Sequence, residues 1–116
     1  MSHPSHIIKV CGLTSAADSE QAIAAGSNAL GFNFWPGSPR YLDPAHASWI
    51  ATLPRPALRV GVFVDESPAR IAELVAQLQL DIAQIHRGET PAADLAVWRA
   101  VSIDEAASSA TPILVD

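Results

Sequence analysis

Residues 58–86 have the sequence LRVGVFVDESPARIAELVAQLQLDIAQIH, and this stretch decides the fold class. Its two ends, Leu58–Val64 and Ile82–His86, are short runs rich in β-branched residues, which favour strands. Between them, Ser67-Pro68 is typical of a helix start, since serine caps the first turn and proline lacks an N–H that would be unpaired there. Four apolar residues follow at helical spacing: Ile71, Leu74, Val75 and Leu78. The stretch therefore predicts a βαβ unit with parallel strands.

The same alternation extends along the rest of the chain. Further strands are predicted at Ile7–Cys11, Ala29–Phe34, Val97–Val101 and Pro112–Asp116. Further helices are predicted to begin at Ser15, with Gly26 as the C-terminal cap, at Asp43-Pro44 and at Thr90-Pro91. We interpret residues 1–116 as a single α/β domain with about six parallel strands and alternating helices. The pattern fits both a barrel and an open, doubly wound sheet, although no G-x-G-x-x-G or P-loop motif supports a nucleotide-binding version of the latter.

The last two connections between strands are short. A parallel crossover needs about a dozen residues or more, and the segments Gly88 to Ala96 and Ser102 to Thr111 are shorter than that. Either these helices have shrunk to single turns or residues are missing from the sequence. We favour missing residues.

Composition excludes several classes of function. The net charge is −5 and the seven basic residues are scattered, which argues against a nucleic-acid partner or an anionic membrane surface. No apolar run approaches the roughly 20 residues of a membrane span, and the N-terminus lacks the features of a signal peptide. A single cysteine excludes an intramolecular disulfide framework. These observations predict a soluble, cytoplasmic domain.

Several segments resemble, in order, the strand motifs of phosphoribosylanthranilate isomerases. Lys9-Val10-Cys11-Gly12-Leu13-Thr14 resembles the first-strand motif K-I-C-G-[IL]-T, and Ser38-Pro39-Arg40-Tyr41 resembles the S-x-R-Y loop after the second strand. Arg59–Val64 is similar to the third strand. Gln84–Glu89 resembles the fourth-strand motif Q-L-H-G-[DE], but with Arg87 inserted. Trp98–Val101 and Ile113–Asp116 resemble strands five and six. The ordered set covers essentially the whole chain and is far more specific than any one motif.

The resemblance implies a (β/α)₈ TIM barrel, a fold that needs about 200 residues or more. The chain has candidates for six strands, so the barrel is expected to be incomplete here. Two strands and the loops that commonly bind phosphate are absent from the sequence. Such a sheet is expected to have two unpaired edges, which puts independent folding and activity in question.

The activity implied by the resemblance is an Amadori rearrangement in tryptophan biosynthesis, an aldose–ketose isomerisation of the intramolecular oxidoreductase type. The substrate would be the phosphosugar N-(5-phosphoribosyl)anthranilate and the product 1-(2-carboxyphenylamino)-1-deoxyribulose 5-phosphate. An acid must protonate the ring oxygen and a base must remove the C2′ proton. Each such group typically contributes on the order of 10²–10⁴-fold. No cofactor and no metal is expected.

The motifs assign a role to five residues. Cys11 is the candidate base and Asp116 the candidate acid; without the motifs, Cys11 would be interpreted as an inert buried thiol and Asp116 as an ordinary strand-end residue. Arg40 is expected to bind the anthranilate carboxylate through a bidentate contact, with a solvated loop arginine as the alternative. His86 is expected to position substrate or to be a strand-end histidine without a catalytic role. Gly12 is expected to keep the turn after the first strand open to the ligand.

Two hypotheses of function follow. The first is an isomerase whose sequence is incomplete here. The second is a non-catalytic partial-barrel module that requires self-association into a homo-oligomer or a complementary chain. Another phosphate-sugar barrel enzyme is a third, weaker alternative.

Overall fold

The computed structural model describes residues 7–87, 96–101 and 113–115. Within these residues, parallel strands form one sheet in chain order: β1 (Lys9–Val10), β2 (Ala29–Asn33), β3 (Leu58–Val64), β4 (Ile82–His86), β5 (Ala96–Val101) and β6 (Ile113–Val115). The predicted bounds of β3 and β4 are confirmed residue for residue. The strand predicted at Ile7–Cys11 is shorter, because only Lys9 and Val10 pair with β2.

The strand order decides between the two architectures that the sequence left open. A doubly wound sheet reverses its order at a switch point, whereas this sheet runs from β1 to β6 without reversal. The sheet is also strongly curved. In a flat sheet β1 and β4 would be about 14 Å apart, yet Lys9 on β1 hydrogen-bonds Gln84 on β4. Sequential parallel strands on a curved sheet are the arrangement of a barrel wall.

Two α-helices begin where the sequence predicts, and the first also ends next to its predicted cap. Helix α1 (Ala16–Ala24) begins after Ser15, whose hydroxyl accepts a hydrogen bond from the Asp18 N–H at 3.1 Å. Gly26 follows with φ +107°, a left-handed conformation that glycine adopts readily. Helix α2 (Pro68–Leu78) begins after Ser67, which caps Arg70 N–H at 3.2 Å. Local capping chemistry therefore fixes the start of both helices and the end of α1.

The helix predicted from Asp43-Pro44 begins there but is not an α-helix. Asp43 caps Ala45 N–H at 2.9 Å, and the chain then forms two short 3₁₀ helices, Pro44–His46 and Ser48–Thr52. The physical reason lies in the spacing of the buried residues. Ala47, Ile50 and Leu53 are buried at every third position, which matches the three residues per turn of a 3₁₀ helix.

Two apolar layers lie on opposite faces of the sheet. The larger layer fills the space between the sheet and the helices and includes Phe32, Phe63, Ile71, Leu74 and Ile85. The smaller layer is centred on Ala29, Val60 and Ile82, with Trp98 packed against it, and lies on the inner, concave face. Because side chains alternate along a strand, the residues two and four positions after Ala29, Val60 and Ile82 also lie on this inner face.

Arg59 at the start of β3 is a buried cation of the outer face. Its guanidinium donates to the carbonyl oxygens of Leu53 at 2.9 Å, Ala51 at 3.2 Å and Gln79 at 3.3 Å. Burial lowers its pKa; Arg55 lowers it further, while Asp81 opposes both. The arginine thereby ties the 3₁₀ segment and the end of α2 to the sheet.

The predicted connections between the last strands lie outside the described residues, namely the helix from Thr90-Pro91 and the segment Ser102 to Thr111. The strands that they join are nevertheless neighbours, with Ile82 opposite Ala96 and Arg99 opposite Ile113. Across the described ranges, none of the helices combines the length and the apolar character that a membrane crossing requires.

Candidate active site

Cys11 directly follows β1 at the carboxyl end of the sheet, the end where barrel active sites form. Its thiol is free and exposed, so the alternative of an inert buried cysteine does not describe this structure. Gly31 on β2 makes room for it. A Cβ atom at Gly31 would lie 2.8 Å from Cys11 Sγ and 3.0 Å from Lys9 Cε. The thiol and the lysine side chain therefore meet over the same glycine on the inner face.

Gly12 joins Cys11 to Arg40. It has φ +79°, which allows the chain to turn sharply after Cys11. The Arg40 side chain packs on this turn, since a Cβ atom at Gly12 would lie 3.2 Å from Arg40 Cγ. The structure thus brings together two residues that are 29 positions apart in sequence, Cys11 and Arg40, on either side of one glycine.

The loop after β2 holds Arg40 in a compact turn. Ser38 Oγ accepts from Arg40 N–H at 3.1 Å, and Ser38 O accepts from Tyr41 N–H at 3.1 Å. Leu42 N–H then donates to Asn33 O at 2.8 Å and returns the chain to the end of β2. The serine of the S-x-R-Y motif therefore has a local structural role, which is to fix the backbone from which Arg40 extends.

The three tryptophans differ in environment. Trp49 packs edge-on against Phe32, with ring centroids 5.7 Å apart, and Trp98 packs in the inner layer, so both have packing roles. Trp35 is 39% exposed and covers Gly37, where a Cβ atom would lie 2.5 Å from the indole ring. An aromatic face is thus open beside the turn that carries Arg40.

His86 ends β4 on the inner face and belongs to a polar chain. Its Nε2 lies 3.0 Å from Gln84 Nε2, and Gln84 Oε1 accepts a hydrogen bond from Lys9 Nζ. Gln84 is only 4% exposed. The strand-end position of His86 was predicted, whereas the participation of Lys9 and Gln84 was missed. The alternation of side chains along a strand was the available signal. Lys9 lies two residues before Cys11, and Gln84 lies two residues before His86, so the two members of each pair share a face of the sheet.

Arg87, the residue inserted into the fourth-strand motif, has φ +62°. It occupies the position after the histidine, where the family motif has glycine, and it adopts the left-handed conformation that glycine favours. Arg87 pairs with Asp65 at 3.2 Å, and both side chains are exposed, so the pair contributes little to stability. The register of β4 up to His86 is unaffected.

Asp116, the predicted acid, lies outside the described residues. Among the described residues, no group of three or more His, Cys, Asp or Glu side chains is placed to hold a metal ion. Of the predicted site residues, Cys11, Gly12, Arg40 and His86 follow or end strands at the carboxyl end of the sheet, and Lys9 and Gln84 lie on its inner face.

Comparison with known proteins identifies a family. Residues 8–112 match the family described as N-(5'phosphoribosyl)anthranilate (PRA) isomerase. One curated relative, the N-(5'-phosphoribosyl)anthranilate isomerase of Solibacter usitatus, is 48% identical over 100 residues, which cover 84% of this chain and 49% of the relative.

Two solved structures match the fold. A phosphoribosyl anthranilate isomerase from Thermotoga maritima has a TM-score of 0.85 at 36% identity, covering 95% of this chain and 60% of that one. A second, in complex with reduced 1-(o-carboxyphenylamino)-1-deoxyribulose 5-phosphate, has a TM-score of 0.83 at 36% identity and covers 95% and 64%. They confirm the predicted fold class, an incomplete (β/α)₈ TIM barrel. The chain spans about half or less of the length of the curated relatives that it matches.

Proposed function

Because this chain belongs to the phosphoribosylanthranilate isomerase family, we propose that the protein containing it converts N-(5-phosphoribosyl)anthranilate into 1-(2-carboxyphenylamino)-1-deoxyribulose 5-phosphate, an aldose–ketose isomerisation of tryptophan biosynthesis. The observation that carries the proposal is the meeting of Cys11 and Arg40 around Gly12 at the carboxyl end of the sheet. Cys11 has the chemistry of a base, and Arg40 has that of a carboxylate receptor.

Substrate orientation follows from that pair. The planar guanidinium of Arg40 would bind both oxygens of the anthranilate carboxylate, which fixes the direction of the aromatic ring as well as its distance. Trp35 offers an exposed aromatic surface at the start of the same turn. The sugar would then extend toward Cys11, which directly precedes the glycine on which Arg40 packs.

The chemical steps need one acid and one base. Asp116 would protonate the furanose ring oxygen, which opens the ring to the imine. Cys11, as thiolate, would then remove the C2′ proton and leave an enolamine. C1′ of the enolamine takes up a proton while its 2′-hydroxyl loses one, which gives the ketone. No atoms are gained or lost overall. A thiol is a weak base until its thiolate is stabilised, and a cationic side chain near Cys11 is one means of stabilising it.

The test is a fluorescence assay that follows consumption of phosphoribosylanthranilate by the full-length protein. We expect Cys11→Ser to lose on the order of 10²–10⁴-fold in kcat, as general-base removal typically does, with an unchanged urea midpoint. Val10→Ala is the matched control, since Val10 is the preceding residue and faces away from Cys11. Wild-type turnover in the serine variant would remove Cys11 from the role of base.

A second candidate function is the non-catalytic partial-barrel module, stabilised by self-association or by a complementary chain. It is supported by the exposed apolar residues at and before β1, namely Ile7 at 46%, Ile8 at 50% and Val10 at 37%. Sedimentation and intact-mass measurements separate the two candidates, because an active protein with a mass well above that of 116 residues contradicts the module.

The remaining features of the proposal concern organisation and partners. Residues 1–116 would form a single domain, part of one barrel, that acts in the cytoplasm on a small phosphosugar-anthranilate. The net charge of −5 supports a small-molecule partner rather than nucleic acid or an anionic membrane.

A further inference from the structure

Lys9, Gln84 and His86 form a hydrogen-bonded chain across the inner face of the sheet. We propose that Lys9, acting through Gln84, fixes the tautomer of His86, so that the ring proton is on Nδ1 and Nε2 is a hydrogen-bond acceptor. Lys9 is the only lysine in the sequence. Lys9 and Gln84 would then be positioning residues, which act on the site through the histidine.

The tautomer follows from which groups can donate and accept. A lysine ammonium has three donors and no acceptor, so the Gln84 atom that meets Lys9 Nζ must be the carbonyl oxygen Oε1. The other end of the same amide is therefore an NH₂ group, which only donates. It lies 3.0 Å from His86 Nε2, and this nitrogen must offer a lone pair. In a neutral imidazole the proton is then on Nδ1.

The opposite orientation of the amide is strongly disfavoured. Turning Gln84 by 180° would bring its NH₂ group against the ammonium, donor against donor, in a residue that is 4% exposed. A buried amide without its partners is costly, so Lys9 selects the orientation of Gln84. Lys9 therefore determines the protonation pattern of His86 through Gln84.

The folded sheet brings Lys9 and Gln84 within hydrogen-bonding distance. Lys9 and Gln84 are 75 residues apart in sequence and lie on strands separated by β2 and β3. The lysine passes over Gly31, where a Cβ atom would lie 3.0 Å from Lys9 Cε. A larger residue at that position would displace the lysine side chain. The glycine therefore serves both Cys11 and the lysine.

One consequence deepens the proposed function and rests on it. With its Nε2 lone pair engaged by Gln84, the neutral His86 presents Nδ1–H as a donor. Its only lone pair is then engaged, so His86 would not compete with Cys11 for a proton. Cys11 and His86 would then have separate roles, because Lys9 fixes the tautomer of His86.

The test is NMR of the full-length protein labelled with ¹⁵N-histidine, recorded well above the ordinary imidazole pKa of about 6.5. The signals of His86 are identified by their loss in His86→Gln. We expect the chemical shift of a protonated nitrogen for Nδ1 and that of an unprotonated nitrogen for Nε2. A protonated Nε2 in the wild-type protein overturns the proposal. The measurement requires no substrate, so its outcome is independent of whether the proposed activity is correct.

Two variants and one control sharpen the test. Gln84→Glu replaces the donor by an acceptor, and we expect the ring proton to move to Nε2. Gln77→Glu introduces the same charge at an exposed position of α2 and should leave His86 unchanged. Lys9→Met should give a mixture of tautomers, because the amide can then turn, and it provides a second route if Gln84→Glu does not fold. An Nε2 that remains unprotonated in Gln84→Glu, or a single unchanged tautomer in Lys9→Met, contradicts the relay.

Discussion

Replacing Gly31 by alanine should displace Cys11 without unfolding the sheet. The new Cβ atom would lie 2.8 Å from Cys11 Sγ, 3.0 Å from Lys9 Cε and 3.2 Å from Cys11 Cα, the last of which is backbone. Lysine can move its flexible end, but the cysteine cannot move its Cα without moving the strand end. Gly31 does not require a positive φ, so alanine introduces no backbone strain of its own.

The size of the effect follows from these distances. Cys11 Sγ must retreat by about half an ångström, from 2.8 Å to the 3.4 Å at which ordinary contact begins. A misplacement of about 1 Å in an active site costs on the order of 10²-fold. We therefore expect kcat/KM to fall by about 10- to 100-fold, which corresponds to about 1.4–2.7 kcal/mol of transition-state stabilisation. Overpacking should also lower the free energy of unfolding by about 1–3 kcal/mol.

The assay is phosphoribosylanthranilate turnover, corrected for the folded fraction measured by urea denaturation. Gly61→Ala is the matched control: its Cβ would meet Leu80 and Phe63, residues of the outer apolar layer, at 2.6 Å and 3.0 Å. It should reduce stability to a similar extent and leave kcat/KM nearly unchanged. If Gly31→Ala retained wild-type kcat/KM, or if both variants lost activity equally, the close contact between Gly31 and Cys11 would not matter for catalysis.

Two further predictions concern substrate binding and the core. Arg40→Lys should raise KM by about 10-fold or more with a smaller change in kcat, because a lysine cannot make the bidentate contact; Arg55→Lys, remote from the site and paired with Asp81, is the control. An unchanged KM would exclude Arg40 as the carboxylate receptor. Leu74→Ala should lower the free energy of unfolding by about 2–5 kcal/mol, because Leu74 is 2% exposed in the outer layer. Glu73→Ala, at the exposed neighbouring position, should change it by less than about 1 kcal/mol, and urea denaturation that gave equal losses would contradict the assignment of the core.

The sequence predicted those features that depend on neighbouring residues. The limits of β3, β4 and α2 follow from an apolar period and from the cap at Ser67, both of which act within a few residues. The period of the segment after Asp43 was also present in the sequence, since Ala47, Ile50 and Leu53 are three residues apart. A helix was predicted there from its first two residues alone, without the spacing that distinguishes a 3₁₀ helix from an α-helix.

The candidate site was only partly accessible from the sequence. Motif resemblance pointed to Cys11, Arg40 and His86 one at a time, and the roles of these residues and of Asp116 remain predictions. Nothing local in the sequence indicated that Arg40 packs on Gly12 or that Lys9 reaches Gln84.

The sequence by itself determined the α/β class, because hydrophobic period and capping are properties of short segments. The tertiary structure alone decided the strand order, the curvature of the sheet and the residues that meet on its inner face. These depend on pairings between segments that are distant in the chain, and on a curvature that accumulates over four strands. Lys9 can hydrogen-bond Gln84 only because the folded sheet brings β1 and β4 toward one another across Gly31.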